Sequence, residues 1–377
     1  DFVPVVALVK RPTDMQVGPE VVALVRHHEK GDYRRAAAVL NALPLRAVIL
    51  EHEFALFGGP LGAHVLEILG ALRTPVITVF HTILASAPPP MIEVVRRVAA
   101  ASAAVVVLCE RARELITTRF GVPAGKVVHL PNGVPLPPEG SSAEWKERLG
   151  LGGRTVALTL GLLSPLKGIE TALDAVAQVA PDHPDLLYVV AGATHPEEVR
   201  ERGAGYRARL EEQVARLGIG AHVRFVNRYL TEEEVVQYVH AADLYVTPYL
   251  FMEQTSSATL ATAAFLGKAL LSTPYDYAVE LLSDGAGYLS PPGDSAALAQ
   301  GLRRLLESPE ERARLGEAAR TRTAGFAWPV LGHRYRQLID ELPGRGPVLP
   351  PAPPIPPGTD IRARPPVFWR GAAPRRR

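Results

Sequence analysis

The sequence predicts an α/β protein built from two doubly wound, Rossmann-like domains. Its 377 residues exceed the roughly 250–300 at which a single hydrophobic core stops growing. In both halves, short aliphatic runs alternate with longer stretches of helical apolar spacing, which is typical of strands joined by crossover helices. Between the halves, residues 131–140 are rich in proline and glycine and cannot continue a helix or a central strand.

Five aliphatic runs in the first half predict buried strands, because turn residues bound each run. Apolar residues at helical spacing predict helices over Pro60–Leu72 and Ile92–Ala101. Since such alternation implies crossover connections, we expect a parallel sheet covered on both faces. The predicted strands are Val5–Val9, Ala47–Leu50, Val76–Phe80, Ala104–Leu108 and Val127–Leu130.

The second half repeats this pattern with six further strands. The predicted organisation is an N-terminal domain over 1–130, a linker over 131–140 and a C-terminal domain over 141–325, followed by a terminal helix over 326–342. Residues 343–377 contain eleven prolines, which predicts a disordered or polyproline-like tail. The strands are Val156–Thr159, Leu186–Ala191, Val223–Val226, Leu244–Thr247, Ala269–Ser272 and Gly287–Leu289.

Charge and cysteine content exclude several classes of protein. The net charge is +2, but seven arginines and one acid lie in residues 343–377, so the remainder is slightly acidic. That balance gives no electrostatic footprint for nucleic acid, although the basic tail allows contact with a membrane surface. Cys109 is the only cysteine, and no apolar run approaches the roughly 18 residues of a membrane helix. We expect a cytoplasmic protein without internal disulfides.

Polar residues follow two neighbouring strands of the N-terminal domain. Ligands of open parallel sheets bind beyond the carboxyl ends of the strands, and a neutral imidazole both donates and accepts hydrogen bonds. A His-Glu-x-x-His zinc site is excluded, because Leu56 stands where the second histidine would be. Sugar or phosphate recognition and a structural role at the sheet edge both remain open. The residues are His52, Glu53, Gly58, Gly59, His81 and Thr82.

A strand-to-helix loop in the second half has the chemistry of an anion site. It runs from Gly161 through Ser164 to Lys167-Gly168, directly before a predicted helix. A helix amino terminus offers unpaired N–H groups, and the lysine adds a positive charge. The spacing is not that of a Walker A loop. A solvated lysine at a helix start is the alternative.

A second helix start follows the strand that ends at Thr247. The segment Glu253-Gln254-Thr255-Ser256-Ser257-Ala258-Thr259 runs into an alanine-rich helix. The first N–H groups of this helix and its dipole favour a negatively charged ligand, and a diphosphate fits that description. Ordinary N-capping by Ser256 or Ser257 is the alternative, but it leaves Glu253, Gln254 and Thr259 unexplained.

Seven short segments of the sequence do not indicate a protein family when each is taken alone. Their order along the chain does. They are Asn132-Gly133-Val134, Lys167-Gly168, Leu187–Gly192, Val223-Arg224-Phe225, Ala241–Pro248, Gly267–Thr273 and Phe326-Ala327-Trp328. Over roughly residues 1–342 the chain therefore resembles the retaining GT-B glycosyltransferases of family 4, also called glycosyl transferases group 1. The resemblance implies two Rossmann-like domains that face a cleft, with the terminal helix packing back onto the first domain.

The resemblance also implies an activity. An enzyme of this family moves a hexose from a nucleotide-diphosphate sugar to a hydroxyl acceptor, here a carbohydrate, glycolipid or small molecule, with retention of the anomeric configuration. The resemblance implies no cofactor. The sequence contains no Asp-x-Asp motif, so a divalent metal ion is not implied either. The sugar, the base, the acceptor and the oligomeric state stay open.

Residue roles carry over position by position. His81 matches the family's cleft histidine and Lys167 its diphosphate-binding lysine, and together with Glu253 they are the predicted catalytic residues. The acceptor side is assigned His52, Glu53, Gly58, Gly59 and Thr82. The predicted donor-binding residues are Gly161, Ser164, Lys167, Gln254, Ser256, Ser257 and Thr259.

The sequence departs from the family at two places in this site. Leu162 stands where the family usually has an arginine. The usual pair of glutamates eight positions apart becomes Gln254 and Thr262 when Gly267 is aligned, or Glu253 and Ala261 in the neighbouring register. The second acid is absent in either register, so a catalytically silent sugar-nucleotide-binding module is an alternative. Another GT-B enzyme, an epimerase or a phosphorylase, is a further alternative.

The first residues differ from the family as well. Its members begin with a strand and a glycine-rich loop, and neither precedes Val3. We therefore expect roughly 30–40 further residues, about one strand-loop-helix unit, before Asp1 in the natural protein.

Overall fold

A computed structural model describes residues 3–9, 17–203 and 205–342 of the chain. The predicted tail, residues 343–377, lies outside the described residues. The chain divides into two compact units, one running to Pro131 and resuming at Gly332, the other comprising Asn132–Leu331. The boundary falls at the start of the proline-rich segment that was predicted as the linker.

In its described residues before the boundary, the first unit contains six parallel strands and four helices. Strands three to six form one sheet in chain order, while the first two pair only with each other among the described residues. The strands are β1 (Val5–Val9), β2 (Val21–Arg26), β3 (Val48–His52), β4 (Val76–Phe80), β5 (Ala104–Val107) and β6 (Val127–His129). The helices are α1 (Lys30–Asn41), α2 (Val65–Leu69), α3 (Pro89–Ala101) and α4 (Glu110–Thr118).

The second unit is a six-stranded parallel sheet with helices between its strands. Its strands are β7 (Thr155–Leu160), β8 (Leu186–Ala191), β9 (Val223–Val226), β10 (Leu244–Thr247), β11 (Ala269–Ser272) and β12 (Tyr288–Leu289). Its helices are α5 (Ser142–Arg148), α6 (Ile169–Val179), α7 (Pro196–Arg202), α8 (Gly205–Leu217), α9 (Glu232–Ala241), α10 (Ala258–Phe265), α11 (Asp276–Leu282), α12 (Ser295–Glu307) and α13 (Pro309–Thr323), with α14 (Trp328–Asp340) crossing the boundary.

Strand order in the second unit locates its binding edge. The order β12-β11-β10-β7-β8-β9 reverses direction at β7, which lies between β10 and β8. In doubly wound sheets, ligands bind beyond the carboxyl ends of the strands at such a reversal. The loops that follow β7 and β10 therefore border the expected site.

Each unit has its own hydrophobic core. In the first, aliphatic residues of β4 and β5 are buried together with Leu130, and three residues of α14 pack against them, Tyr335, Leu338 and Ile339, followed by Leu342 just beyond the helix. In the second, α6, α8 and α12 cover residues of β7, β8, β10 and β11. Helix starts follow local sequence rules, since Ser141 with Glu144 and Thr231 with Glu234 each form a capping box.

The structure corrects several predicted elements. β2 and α1 were not predicted, and β3 continues beyond Leu50 to His52. The single helix expected over Pro60–Leu72 is a 3-10 turn followed by the short α2, because Leu61 has a positive φ of 52°. The expectation that β1 joins the larger sheet is wrong for the described residues.

Two features are absent from the described residues. None of their helices is long and apolar enough to cross a membrane. Within the same residues, no group of three or more histidine, cysteine or acidic side chains is arranged to hold a metal ion.

Candidate functional site

The loop after β7 is fastened to the loop after β10. Gly168 ends the 3-10 turn Pro165–Lys167 with a left-handed φ of 61°, and a Cβ there would overlap the carbonyl oxygen of Pro248. The N–H of Leu250 donates to the carbonyl of Leu166 at 2.9 Å. The two loops that border the strand reversal therefore form one packed element.

Lys167 projects from this element without an anionic partner. Its ammonium lies 3.7 Å from the centre of the Tyr249 ring, over the ring face. The side chain is half-buried, and among the described residues its Nζ forms no hydrogen bond or ion pair. Desolvation lowers the pKa of Lys167 to about 8. A cation in this situation is stabilised when an anion binds beside it.

The start of α10 supplies further hydrogen-bond donors. Ser257 caps the helix by accepting from the N–H of Leu260 at 3.3 Å, which fits the simple capping interpretation of its hydroxyl. The N–H groups of Ala258 and Thr259, in the first turn, have no acceptor among the described residues. Free N–H groups and the helix dipole make this end attractive to negative charge.

The glycine after β7 leaves room for a ligand. Gly161 has a φ of 138°, and a Cβ built on it would meet nothing within 4 Å. Behind it, the backbone of Gly192 packs so closely that a Cβ there would overlap the carbonyl oxygen of Gly161. Gly161 is thus fixed from one side and open on the other.

Ser164 contributes to the site through its backbone. Its carbonyl accepts from the hydroxyl of Tyr206 at 2.9 Å, and the same hydroxyl lies 3.2 Å from a carboxylate oxygen of Glu170. Desolvation raises the pKa of Glu170. Tyr206 therefore ties α8 to both ends of the lysine loop, and it was not singled out from the sequence.

The remaining predicted donor residues lie in the loop between β10 and α10. The amide nitrogen of Gln254 donates to the carbonyl of Ser256 at 2.8 Å. Glu253 is half-buried in the same loop. Thr262 is buried, and its hydroxyl donates to the carbonyl of Ala258 at 2.9 Å. Since Thr262 turns back onto its own helix, it does not replace the missing acid.

In the first unit, polar side chains pair across the ends of β3 and β4. Nε2 of His81 lies 2.7 Å from a carboxylate oxygen of Glu51, and the hydroxyl of Thr82 donates to Glu53 at 2.5 Å. Glu53 also accepts from the N–H of Phe54. Three of these residues were predicted, whereas Glu51 was missed because the strand was ended at Leu50.

His52 does not share that setting. The residue is 0% exposed and surrounded by the rings of Phe54, Phe57 and Phe80, and neither ring nitrogen has a hydrogen-bond partner in the described part of the chain. Desolvation, with the nearby His81 adding to it, lowers the pKa of His52 to about 4. The structure therefore places this predicted acceptor residue inside the core.

Gly58 and Gly59 are explained by packing. A Cβ on Gly58 would overlap the carbonyl oxygen of His27, and one on Gly59 would meet the ring of His64. The N–H of Gly58 donates to the hydroxyl of Tyr33 at 3.1 Å. The space that these glycines leave is occupied by the protein itself rather than open to a ligand.

Two family models match the chain. Glycosyl transferases group 1 matches residues 141–322, and Glycosyltransferase Family 4 matches residues 4–136. The two matches together span most of both units.

Curated relatives are distant. Phosphatidyl-myo-inositol mannosyltransferase of Mycolicibacterium smegmatis is 25% identical over 220 residues, which are 58% of this chain and 53% of the relative. Alpha-D-kanosaminyltransferase of Streptomyces kanamyceticus is 24% identical over 243 residues, 63% of this chain and 60% of the relative. The chain thus spans little more than half the length of these relatives.

Solved structures share the fold. HepE of Anabaena, determined with UDP and glucose, superimposes with a TM-score of 0.66 at 18% identity, covering 83% of this chain and 81% of HepE. Sucrose-phosphate synthase of Thermosynechococcus elongatus gives 0.66 at 19% identity, covering 90% and 89%. The chain belongs to the family 4 glycosyltransferases, the glycosyl transferases group 1, and has the GT-B fold.

Proposed function

We propose that this chain is a retaining hexosyltransferase that moves a sugar from a nucleotide-diphosphate sugar to a hydroxyl acceptor. The observation that carries the proposal is the unpaired ammonium of Lys167 at the strand reversal of the second sheet. The free N–H groups at the start of α10, in the loop region joined to it, add to its attraction for a diphosphate.

The chemistry follows from the charge that develops during transfer. Breaking the bond between the anomeric carbon and the diphosphate leaves negative charge on the diphosphate oxygens. A fixed cation and fixed N–H donors stabilise that charge more in the transition state than in the ground state. The new bond joins the anomeric carbon to the acceptor oxygen, whose proton passes to an oxygen of the departing diphosphate on the same face of the sugar. Lys167 and α10 supply the counter-charge without a metal ion or a cofactor.

The acceptor side of the proposal rests on the first unit. His81, Thr82 and Glu53 present an imidazole, a hydroxyl and a carboxylate at adjacent strand ends. Groups that donate and accept suit the hydroxyls of a carbohydrate or glycolipid acceptor. We also propose a cytoplasmic location, because the single cysteine of the sequence, Cys109, is buried and forms no disulfide.

Product analysis tests the proposal. The purified chain is incubated with UDP-, GDP- and ADP-hexoses, each with and without a panel of sugar and inositol acceptors, and the products are identified by NMR. The expected result is acceptor-dependent release of one nucleoside diphosphate and a product that keeps the donor's anomeric configuration. An inverted product would overturn the retaining assignment.

The same assays distinguish three alternatives, and one variant serves as the control. An epimerase changes the donor without an acceptor, and a phosphorylase needs inorganic phosphate. A silent binding module shifts its melting temperature with a nucleoside diphosphate but releases no product. Lys30→Met, at the start of α1, is the matched control for loss of a lysine, since its side chain is 59% exposed and its Nζ lies 3.7 Å from a carboxylate oxygen of Glu67 in the first unit.

A further inference from the structure

We propose that Tyr249 positions the ammonium of Lys167 for an anionic ligand, in the role that a carboxylate partner would otherwise have. This inference rests on the proposed function and adds a residue to it that neither the sequence motifs nor the relatives assign. The geometry that carries it is the ammonium at 3.7 Å over the ring centre of Tyr249.

An aromatic face holds a lysine differently from a carboxylate. The ring attracts the cation through its quadrupole and does not require hydrogen bonds from the ammonium. All three N–H donors of Lys167 therefore stay available, and no negative charge competes with the incoming ligand. A lysine on its flexible four-carbon stem would otherwise be free to move away into solvent.

Tyr249 is itself held rigidly. It is 1% exposed, its ring stacks on that of Tyr275 with centres 5.2 Å apart and planes 19° apart, and its carbonyl accepts from the hydroxyl of Thr273 at 2.6 Å. Because these contacts fix the ring of Tyr249, the ammonium of Lys167 that lies over the ring also has a defined position.

The same tyrosine connects the lysine to the second group of donors. The hydroxyls of Ser257 and Thr259 interact with the phenol oxygen of Tyr249, which ties the residue to the start of α10. One side chain therefore contacts both the cation, through its ring, and the helix start, through its hydroxyl. Both are needed to surround a single diphosphate.

A double-mutant cycle tests the inference with inorganic pyrophosphate and UDP as probes, using calorimetry on the full chain. Tyr249→Leu removes the ring, Tyr249→Phe keeps it, and both are made alone and together with Lys167→Met. We expect Tyr249→Leu to weaken pyrophosphate binding about tenfold, equivalent to about 1.4 kcal/mol, and Tyr249→Phe to weaken it less than about threefold. In the Lys167→Met background, Tyr249→Leu should change nothing further.

Tyr188→Leu is the matched control for the loss of a buried ring. Tyr188 is also 1% exposed, but its hydroxyl donates to Thr159 in β7, outside the loops that hold Lys167 and the start of α10. It should lower the melting temperature and leave pyrophosphate affinity unchanged. If Tyr249→Leu does not fold, fluorinated phenylalanines at position 249 keep the shape while weakening the ring's attraction, and affinity should fall with each added fluorine.

The outcomes separate this inference from the proposed function. If Tyr249→Leu weakens binding equally with and without Lys167, or fluorination has no effect, Tyr249 does not act through the lysine. If Lys167→Met itself binds both probes like the wild type, the anion site of the proposed function is wrong. Weak binding by Lys167→Met with normal binding by Tyr249→Leu rejects only the role of Tyr249.

Discussion

Nε2 of His81 lies 2.7 Å from a carboxylate oxygen of Glu51 at the ends of two neighbouring parallel strands. Both side chains are well exposed, at 39% and 60%, so the pair contributes at most about 1 kcal/mol to stability. The contact orients the imidazole instead.

The first prediction concerns His81. His81→Ala should lower sugar transfer about 100-fold, because a positioned imidazole contributes about that much. Glu51→Gln should cause a smaller loss, about tenfold, because it only loosens the orientation of the ring. Affinity for UDP should stay within about threefold in both variants. Initial rates and calorimetry check this, and an equal loss of UDP affinity would count against a place beside the acceptor.

The second prediction concerns Lys167. Lys167→Ala should lower the transfer rate about 100-fold or more, the effect of removing one charge-stabilising group. The measurement is the single-turnover rate at saturating donor, with Lys30→Met as the control that should match the wild type. Undiminished transfer by Lys167→Ala would refute its role beside the diphosphate.

The third prediction concerns pH. Because the pKa of Lys167 is lowered to about 8, the free protein loses the positive charge as pH rises through that value. The protonated form binds a diphosphate, so the Kd for UDP should rise about tenfold between pH 7 and pH 9. The terminal phosphate, with a pKa near 6, is already ionised over this range. Lys167→Met should bind weakly with no such dependence, and a wild-type Kd that stays flat would contradict the prediction.

Much of the second unit could be predicted from the sequence. Its strands are continuous aliphatic runs, and the positions of Gly161, Lys167 and Ser257 follow directly from where those runs end. The contact between Lys167 and Tyr249 could not be predicted. It joins loops that are 82 positions apart along the chain, and only the strand order brings them together.

The first unit was harder for physical reasons. β2 is mostly half-buried, so Val21–Arg26 lacks the sharp contrast between apolar and polar positions that marks a strand. Glu51 is a charged residue directly after an aliphatic run, so the sequence pattern predicts that the strand ends before it. In the structure the strand continues through Glu51 to His52. His52 and Glu53 are neighbours in sequence, but successive side chains of an extended segment point in opposite directions. One is therefore buried while the other reaches Thr82.

The fourth prediction concerns His52. Burial lowers its pKa to about 4, so below the unfolded value near 6.5 the unfolded chain binds a proton that the folded chain does not. Folding stability should therefore fall as pH drops from 6.5 towards 4, by up to about 3 kcal/mol from this residue. His52→Leu should remove that dependence and raise stability at neutral pH, since a buried unsatisfied group costs about 1–3 kcal/mol. Urea denaturation at pH 5 and pH 7.5 measures both effects.

The same variant tests where His52 acts. A residue inside the core should leave the KM for the acceptor unchanged when it is replaced by leucine. A large rise in acceptor KM, with normal stability, would instead support the acceptor-side role predicted from the sequence.

The fifth prediction concerns the junction between the two loops of the second unit. Gly168 and Gly218 both have a left-handed φ, 61° and 69°, and Gly218 ends α8 with the hydrogen bonds of a Schellman motif. A Cβ on Gly168 would overlap the carbonyl of Pro248, whereas one on Gly218 would meet nothing within 4 Å. Alanine at either position costs about 1–2 kcal/mol for the left-handed backbone. Gly168→Ala must in addition push apart the loops that hold Lys167 and Tyr249.

Gly168→Ala should therefore be less stable than Gly218→Ala, by at least about 1 kcal/mol, and it alone should weaken UDP binding. Urea denaturation and calorimetry on the two variants provide the comparison. Because the backbone cost is common to both, their difference isolates the contact with Pro248. Equal stability and equal UDP affinity would mean that the loops adapt without moving the lysine, and that their packing does not set the geometry of the anion site.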